Sequence, residues 1–122
     1  MILADTSIWI DYLRGHKPEM QPLLVTGKVV MHPCIVAEVA LGSLKNRNRT
    51  FALMESLWQV NVAELHGVRH MIEAHSLYSN GIGLTDAHLI ASCLITPGIQ
   101  LWTRDARMRQ TASRLGISST LP

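Results

Sequence analysis

Short apolar runs alternate with longer stretches of helical periodicity along this chain, and turn residues punctuate them. Ile2-Leu3-Ala4 is an apolar run that ends at Asp5-Thr6-Ser7, which reads as a strand followed by helix-capping residues. Ile8 to Arg14 places Trp9, Ile10 and Leu13 on one side of a helix that Gly15 stops, and a second short helix runs from Pro18 to Thr26. Lys28 to His32 is the next strand, Pro33 opens a helix that carries to Leu41 before Gly42, and a further helix covers Thr50 to Leu57. Gln59-Val60-Asn61-Val62 supplies a third strand, and Glu64 to Tyr78 repeats Leu65, Val68, Met71 and Ile72 at helical spacing. After the loop Asn80-Gly81-Ile82-Gly83, Thr85 is placed to cap a helix carrying Ala87, Ile90, Ala91 and Leu94, which Pro97-Gly98 ends. Gln100 to Thr103 is a fourth strand, Asp105 to Leu115 a last helix, and Ile117-Ser118-Ser119 a candidate edge strand.

Strands that alternate with helices predict an α/β fold with a parallel sheet covered on both faces. The length of 122 residues suits one domain spanning 1–122, with no repeat or linker inside it. No apolar run approaches the ~20 residues of a membrane span, and the first residues lack a signal-peptide pattern, so a cytoplasmic protein is expected. Cys34 and Cys93 lie apart in apolar stretches and read as buried small hydrophobes of a reducing compartment, not as a disulfide. Trp9, Trp58 and Trp102 also sit in apolar stretches and read as core or interface anchors.

Four acids stand where solvated charges usually do not. Asp5 ends the first strand and Asp105 follows the fourth by two residues, which places both at the carboxyl edge of a parallel sheet, where ligands bind. Glu38 is the only charge between Pro33 and Leu44, in a helix that looks apolar nearly all round, so burial of its carboxylate calls for a compensating partner. Asp86 opens a helix after a glycine loop, where backbone N–H groups favour a carboxylate. Helix capping accounts equally for Asp5, Asp86 or Asp105 taken singly, and an arginine ion pair for Glu38. Together they suit a hard divalent cation such as Mg²⁺ or Mn²⁺, which prefers oxygen ligands and activates water toward phosphodiesters.

Charge sharpens this reading. The net charge is +2, and with the four acids set aside eleven basic residues face five acidic ones, leaving a basic body around one acidic spot. That arrangement suits a polyanion. Thr6, Ser7 and Thr103 flank the acids and can orient a carboxylate or a water, although capping is the simpler role for Ser7. Arg104, Arg107, Arg109 and Arg114 cluster near Asp105, with phosphate contact and a solvated helix face as alternatives. His66 and His70 have zinc spacing but no third ligand, while His32 and His88 stand near the acids without the look of ligands.

The segments Ile2-Leu3-Ala4-Asp5-Thr6-Ser7-Ile8-Trp9, the lone Glu38, Leu84-Thr85-Asp86-Ala87-His88-Leu89-Ile90-Ala91 and Leu101-Trp102-Thr103-Arg104-Asp105 together resemble a PIN domain. The short chain resembles the VapC-type toxins of bacterial and archaeal toxin–antitoxin pairs. The resemblance implies a three-layer α/β/α sandwich around a parallel sheet of four to five short strands. It also implies a Mg²⁺- or Mn²⁺-dependent endoribonuclease, a homodimer, and inhibition by a small VapB-type antitoxin that inserts into the active-site groove. Carried over, the metal ligands and catalytic residues are Asp5, Glu38, Asp86 and Asp105, supported by Thr6 and Thr103. Within the basic cluster near Asp105, Arg104 and Arg107 are the candidate RNA phosphate contacts. The further acid that some members carry after the fourth motif is replaced by Ala106-Arg107-Met108-Arg109, which implies one tightly held ion with a second recruited by substrate.

Other acid-cluster readings fit less well. A haloacid-dehalogenase-like phosphatase needs an Asp where Ser7 stands, and a response-regulator receiver needs one in Val60-Asn61-Val62-Ala63. A dinucleotide-binding fold lacks its glycine fingerprint after the first strand. A non-catalytic PIN-like RNA-binding domain remains as the alternative, one that commonly has lost some of the carboxylates retained here.

Overall fold

The computed structural model describes residues 1–122. Its centre is a parallel sheet of β1 (Ile2–Ala4), β2 (Val29–Met31), β3 (Trp58–Gln59) and β4 (Gln100–Trp102), in the order β3-β2-β1-β4. Around it lie α1 (Thr6–Leu13), α2 (Met20–Val25), α3 (Pro33–Ala40), α4 (Arg47–Ser56), α5 (Leu65–Ala74), α6 (Leu84–Ile95) and α7 (Ala106–Arg114). The chain steps one way from β1 to β3, then crosses back past β1 to β4. With the right-handed crossovers that twisted parallel strands favour, α1 to α4 cover one face and α5 and α6 the other. The packing follows this division, with α1 against α3, α3 against α4, and α5 against α6.

The strands are short and apolar because they are buried on both faces. Leu3 in β1 lies opposite Val30 in β2 and Leu101 in β4, and all three are buried. Trp9 from α1 and Trp102 from β4 are fully inaccessible and belong to one continuous core. The reversal of chain direction falls between β1 and β4, so the carboxyl ends of these two strands open the crevice that a doubly wound sheet offers to a ligand.

Several boundaries differ from those the sequence predicts. The third strand is Trp58–Gln59 instead of 59–62, although the Val60 N–H still donates to the Met31 carbonyl at 3.0 Å. α4 starts at Arg47, ahead of the expected start at Thr50, because the Arg47 guanidinium donates to the Ala40 and Gly42 carbonyls and anchors the helix start. α5 stops at Ala74, where Ser76 turns left-handed at φ 53° and the Leu77 N–H closes back on the Ile72 carbonyl. The N-cap of α6 is Gly83, not Thr85. The expected edge strand at 117–119 is reduced to one bridge, Ser118 beside Leu101, which still shields the outer edge of β4.

Burial departs from expectation at two further places. Trp58 is 79% exposed, since β3 is an edge strand of two residues with little to cover it. Cys34 is only partly buried, whereas Cys93 is buried and its thiol is pushed up to about 12 by that burial. Leu3→Ala should therefore cost about 2–5 kcal/mol of unfolding free energy, as a cavity in a packed core does. Trp58→Ser should change it by less than about 0.5 kcal/mol in the same urea titration. A comparable loss at Trp58 would mean that this ring is covered in solution by another molecule.

Candidate active site

The four acids arrive from four places. Asp5 leaves β1 and is the N-cap of α1, Glu38 lies in the last turn of α3, Asp86 is in the first turn of α6, and Asp105 is the N-cap of α7. All four line one pocket of about 560 Å³ together with Thr6, Ser7, Ile10 and Arg104. A groove between α3 and α4 is of similar size but mostly apolar, with Glu55 its single charged lining residue.

Asp5 is almost wholly buried, and its carboxylate is hydrogen-bonded on both oxygens. Oδ1 accepts from the Ser7 hydroxyl at 2.7 Å and the Ile8 N–H at 3.1 Å, while Oδ2 accepts from the buried Thr103 hydroxyl. Thr103 Oγ1 in turn accepts the Asp105 N–H at 3.1 Å, which links the two strand-end acids through one hydroxyl. Asp105 Oδ1 accepts the N–H groups of Arg107 and Met108 at 2.8 and 3.2 Å. The capping role and the place in the pocket are thus both realised by Asp5 and by Asp105.

Glu38 is half-buried, not enclosed as the apolar sequence around it suggests, because α3 packs on one face only and Ala37 and Leu41 face solvent. It forms no ion pair, so the arginine partner considered from sequence is absent. Its Oε1 accepts the Thr6 hydroxyl at 2.6 Å, which ties the end of α3 to the start of α1. Burial raises the Asp86 carboxyl above its ordinary 3.8, and the charges of Asp5, Asp105 and Glu38 raise it further, against a lowering backbone hydrogen bond with Gly83. These four carboxylates therefore share one electrostatic environment.

Behind the pocket, His32 caps α3 by accepting the Cys34 N–H on Nδ1 at 3.0 Å. Its ring faces that of His88 with centroids 6.2 Å apart, and His32 Nε2 and His88 Nδ1 are buried without a protein hydrogen-bond partner. Burial lowers His32 to about 4, with the charge of His88 a smaller cause, so it is a neutral imidazole at physiological pH. Arg104 lines the pocket and pairs with Asp11 at 2.8 Å, a residue that sequence reasoning passed over. Asp11 is four residues beyond Ser7 on α1, a spacing that puts both on one helix face and was available as a signal. Arg107, expected at the site, lies elsewhere: it lines a separate cleft with its guanidinium beside Gly81.

The sheet order, the crevice between β1 and β4 and the acids that follow those strands are what the resemblance to a PIN domain leads one to expect. The PIN domain family model matches residues 2–114, and the chain belongs to that family. It is similar to Ribonuclease VapC32 of Mycobacterium tuberculosis, from strains CDC 1551 / Oshkosh and ATCC 25618 / H37Rv. Each comparison gives 35% identity over 118 residues, covering 97% of this chain and 95% of the relative.

The all-oxygen donor set suits a hard divalent cation in kind. In this conformation no three His, Cys, Asp or Glu side chains are gathered closely enough to hold one. Burial first, and the neighbouring carboxylates after it, disfavour the charged form of Asp86, and a bound cation would offset the second of these. The residues fit the ion in the chemistry of their donor set, and all four line one pocket.

These shifts make stability depend on pH in two opposite ways. Asp86 holds its proton to higher pH in the folded chain, so its contribution is full below 3.8 and is lost as the pH rises through the folded value. Asp86→Asn should therefore raise the melting temperature of chelator-treated protein by a few degrees at neutral pH, with the gain vanishing on acidification. Added Mg²⁺ should stabilise the parent more than the variant, and equal Mg²⁺ stabilisation of both would remove Asp86 from any cation site. His32 acts with the opposite sign: the unfolded chain binds its proton at 6.5 and the folded chain only near 4, so its contribution is full above 6.5 and is lost as the pH falls toward 4. His32→Asn, which keeps a capping side chain, should lose less stability than the parent over that interval in thermal melts. Parallel curves would mean that His32 is not held neutral.

Proposed function

We propose that this chain is a Mg²⁺- or Mn²⁺-dependent endoribonuclease, the toxin of a VapBC-type toxin–antitoxin pair, acting in the cytoplasm as one unit of residues 1–122. The observation that carries the reading is the convergence of Asp5, Glu38, Asp86 and Asp105 on one pocket at the carboxyl edge of the sheet. The similarity to a protein named Ribonuclease VapC32 supports the choice of RNA as substrate.

The reaction adds water across a P–O bond of the RNA backbone, so that one product keeps the phosphate and the other a hydroxyl. Asp5, Glu38, Asp86 and Asp105 would hold the ion, which when bound supplies Lewis acidity to the phosphodiester and to the attacking water. Thr103 and Ser7 keep the Asp5 carboxylate aimed at the pocket, and Thr6 does the same for Glu38. Fixing the donors in advance reduces the reorganisation that binding and catalysis require. Arg104 supplies the one cation on the pocket wall, where it meets a phosphate oxygen of the substrate. A VapB-type antitoxin that inserts a segment into this groove would block the same surface, and a homodimer is the expected assembly.

Purified protein incubated with mixed cellular RNA should cut at discrete positions with Mg²⁺ or Mn²⁺ and not with chelator. Asp5→Asn should abolish cutting while the fold, followed by circular dichroism, is kept. Thr103→Val, which removes only the hydroxyl, should reduce the rate about 10- to 100-fold, as loss of a ligand-orienting group does. Equal cutting by Asp5→Asn would overturn this assignment of the site. RNA binding without any cutting would instead favour a binding-only PIN-like domain.

A further inference from the structure

We propose that a second polar cleft, between the Ser79–Gly81 turn and α7, binds the phosphodiester backbone of single-stranded RNA beside the point of cleavage. The proposal rests on the ribonuclease reading for its substrate and names a site outside the carboxylate pocket. The cleft has a volume of about 710 Å³, and Ser79, Asn80 and Gly81 form one wall while Arg107, Gln110 and Arg114 stand on the other. Neither an acidic nor an apolar side chain lines it. The carboxylate pocket has the opposite character, with four acids and one arginine.

A pocket of four carboxylates attracts phosphates only through the cation it holds and Arg104, so cations placed beside it add to the affinity of a nuclease for its polyanionic substrate. Arg107 and Arg114 are suited to supply it. Arg69 is paired with Glu73 and Arg104 with Asp11, whereas neither Arg107 nor Arg114 has an acidic partner. Arg114 donates one hydrogen bond, to the His75 carbonyl at 3.0 Å, and its other N–H groups stay available. Two unpaired guanidinium groups on one cleft wall match phosphate oxygens in charge and in fork geometry.

Opposite them the turn is built to let Arg107 lie close. Ser79 and Gly81 both have positive φ, 62° and 73°, and a Cβ on Gly81 would come within 2.5 Å of Arg107 Nη1. A side chain there would make Arg107 move, and the left-handed φ of Gly81 independently favours glycine. The cleft also shares both its supports with the carboxylate pocket. The Asp105 carboxylate caps α7 and accepts the Arg107 N–H at 2.8 Å, and the turn leads directly into α6, which carries Asp86. Arg114 stands seven residues beyond Arg107, which places the two arginines ~10 Å apart along the helix axis. A strand entering the carboxylate pocket can therefore meet neighbouring phosphates along α7.

The test measures binding of a mixed-sequence single-stranded RNA oligonucleotide to Asp5→Asn protein over a range of salt, with and without Arg107→Gln and Arg114→Gln. Affinity should fall on the order of tenfold, and the salt dependence should become shallower by about 1.4 in log–log slope, roughly 0.7 for each phosphate no longer neutralised. Gln110→Glu, an exposed substitution that disturbs no hydrogen bond, should weaken binding in the same direction, and Arg107→Lys with Arg114→Lys should restore much of the slope. Unchanged affinity and slope in the folded variants, or no RNA binding by the Asp5→Asn parent, would overturn the cleft. With polyglutamate as a second probe, unchanged RNA binding together with a loss of polyglutamate binding in the variants would also overturn it and give the cleft to an acidic protein segment. If unmodified protein fails to cut RNA while the variants still weaken binding, the ribonuclease reading falls and the cleft stands.

Discussion

β1 and β4 end level with one another because the Asp5 N–H donates to the Trp102 carbonyl at 3.0 Å while the Asp5 carboxylate accepts the Thr103 hydroxyl. The backbone ladder and the side-chain bond are successive steps at one place, the last pairing of the two strands and the first contact beyond it. Thr103 then accepts the Asp105 N–H, so the helix that follows β4 starts in register with the helix that follows β1. Both helices are capped by the acids so positioned. The capping interactions that stabilise the fold are therefore the same ones that aim two carboxylates into the crevice, and stability and site geometry are not separable at these residues.

The remaining two acids are brought in against electrostatic resistance. Asp86 sits at a helix N-terminus and has a backbone hydrogen bond with Gly83, both favourable to its charge, yet burial and three neighbouring carboxylates outweigh them. Glu38 is held from one side only, by the Thr6 hydroxyl, and remains half-exposed. Neutral hydroxyls orient the acids without cancelling their charge, whereas an arginine salt bridge would have neutralised them. Arg104, the one cation on the wall, is itself engaged with Asp11. The result is a concentration of negative charge on one pocket that the neighbouring side chains leave largely uncompensated.

Much of this was readable in the sequence because the strongest signals lay where burial is most complete. β1, β2 and β4 are apolar runs bounded by capping residues, and Asp5 and Asp105 follow the carboxyl ends of β1 and β4 by chain connectivity alone. The signal failed where packing is one-sided. The edge strand β3 has two residues, both exposed, so no alternation could locate it. The apolar run around Glu38 suggested full enclosure, although α3 covers the sheet with one face and leaves Leu41 88% exposed. α4 was hidden by its opening Arg-Asn-Arg, which looks like loop until the Arg47 side chain is seen bonding two carbonyls of the preceding turn.

The arginines of the last quarter illustrate a subtler limit. Sequence proximity to Asp105 places Arg104, Arg107, Arg109 and Arg114 together, but an α-helix sends successive side chains about 100° apart. Arg104 precedes the helix and stays with the pocket, Arg109 turns back to donate to the Thr103 carbonyl at 2.9 Å, and Arg107 and Arg114 point into the neighbouring cleft. One basic cluster in sequence thus becomes three different devices: a paired cation on the wall of the acidic pocket, a brace on the backbone next to Thr103, and two unpaired charges in a cleft of their own. Segregation of this kind keeps the free cations from neutralising the carboxylates, and both charges can then act on the same polyanion from adjacent surfaces.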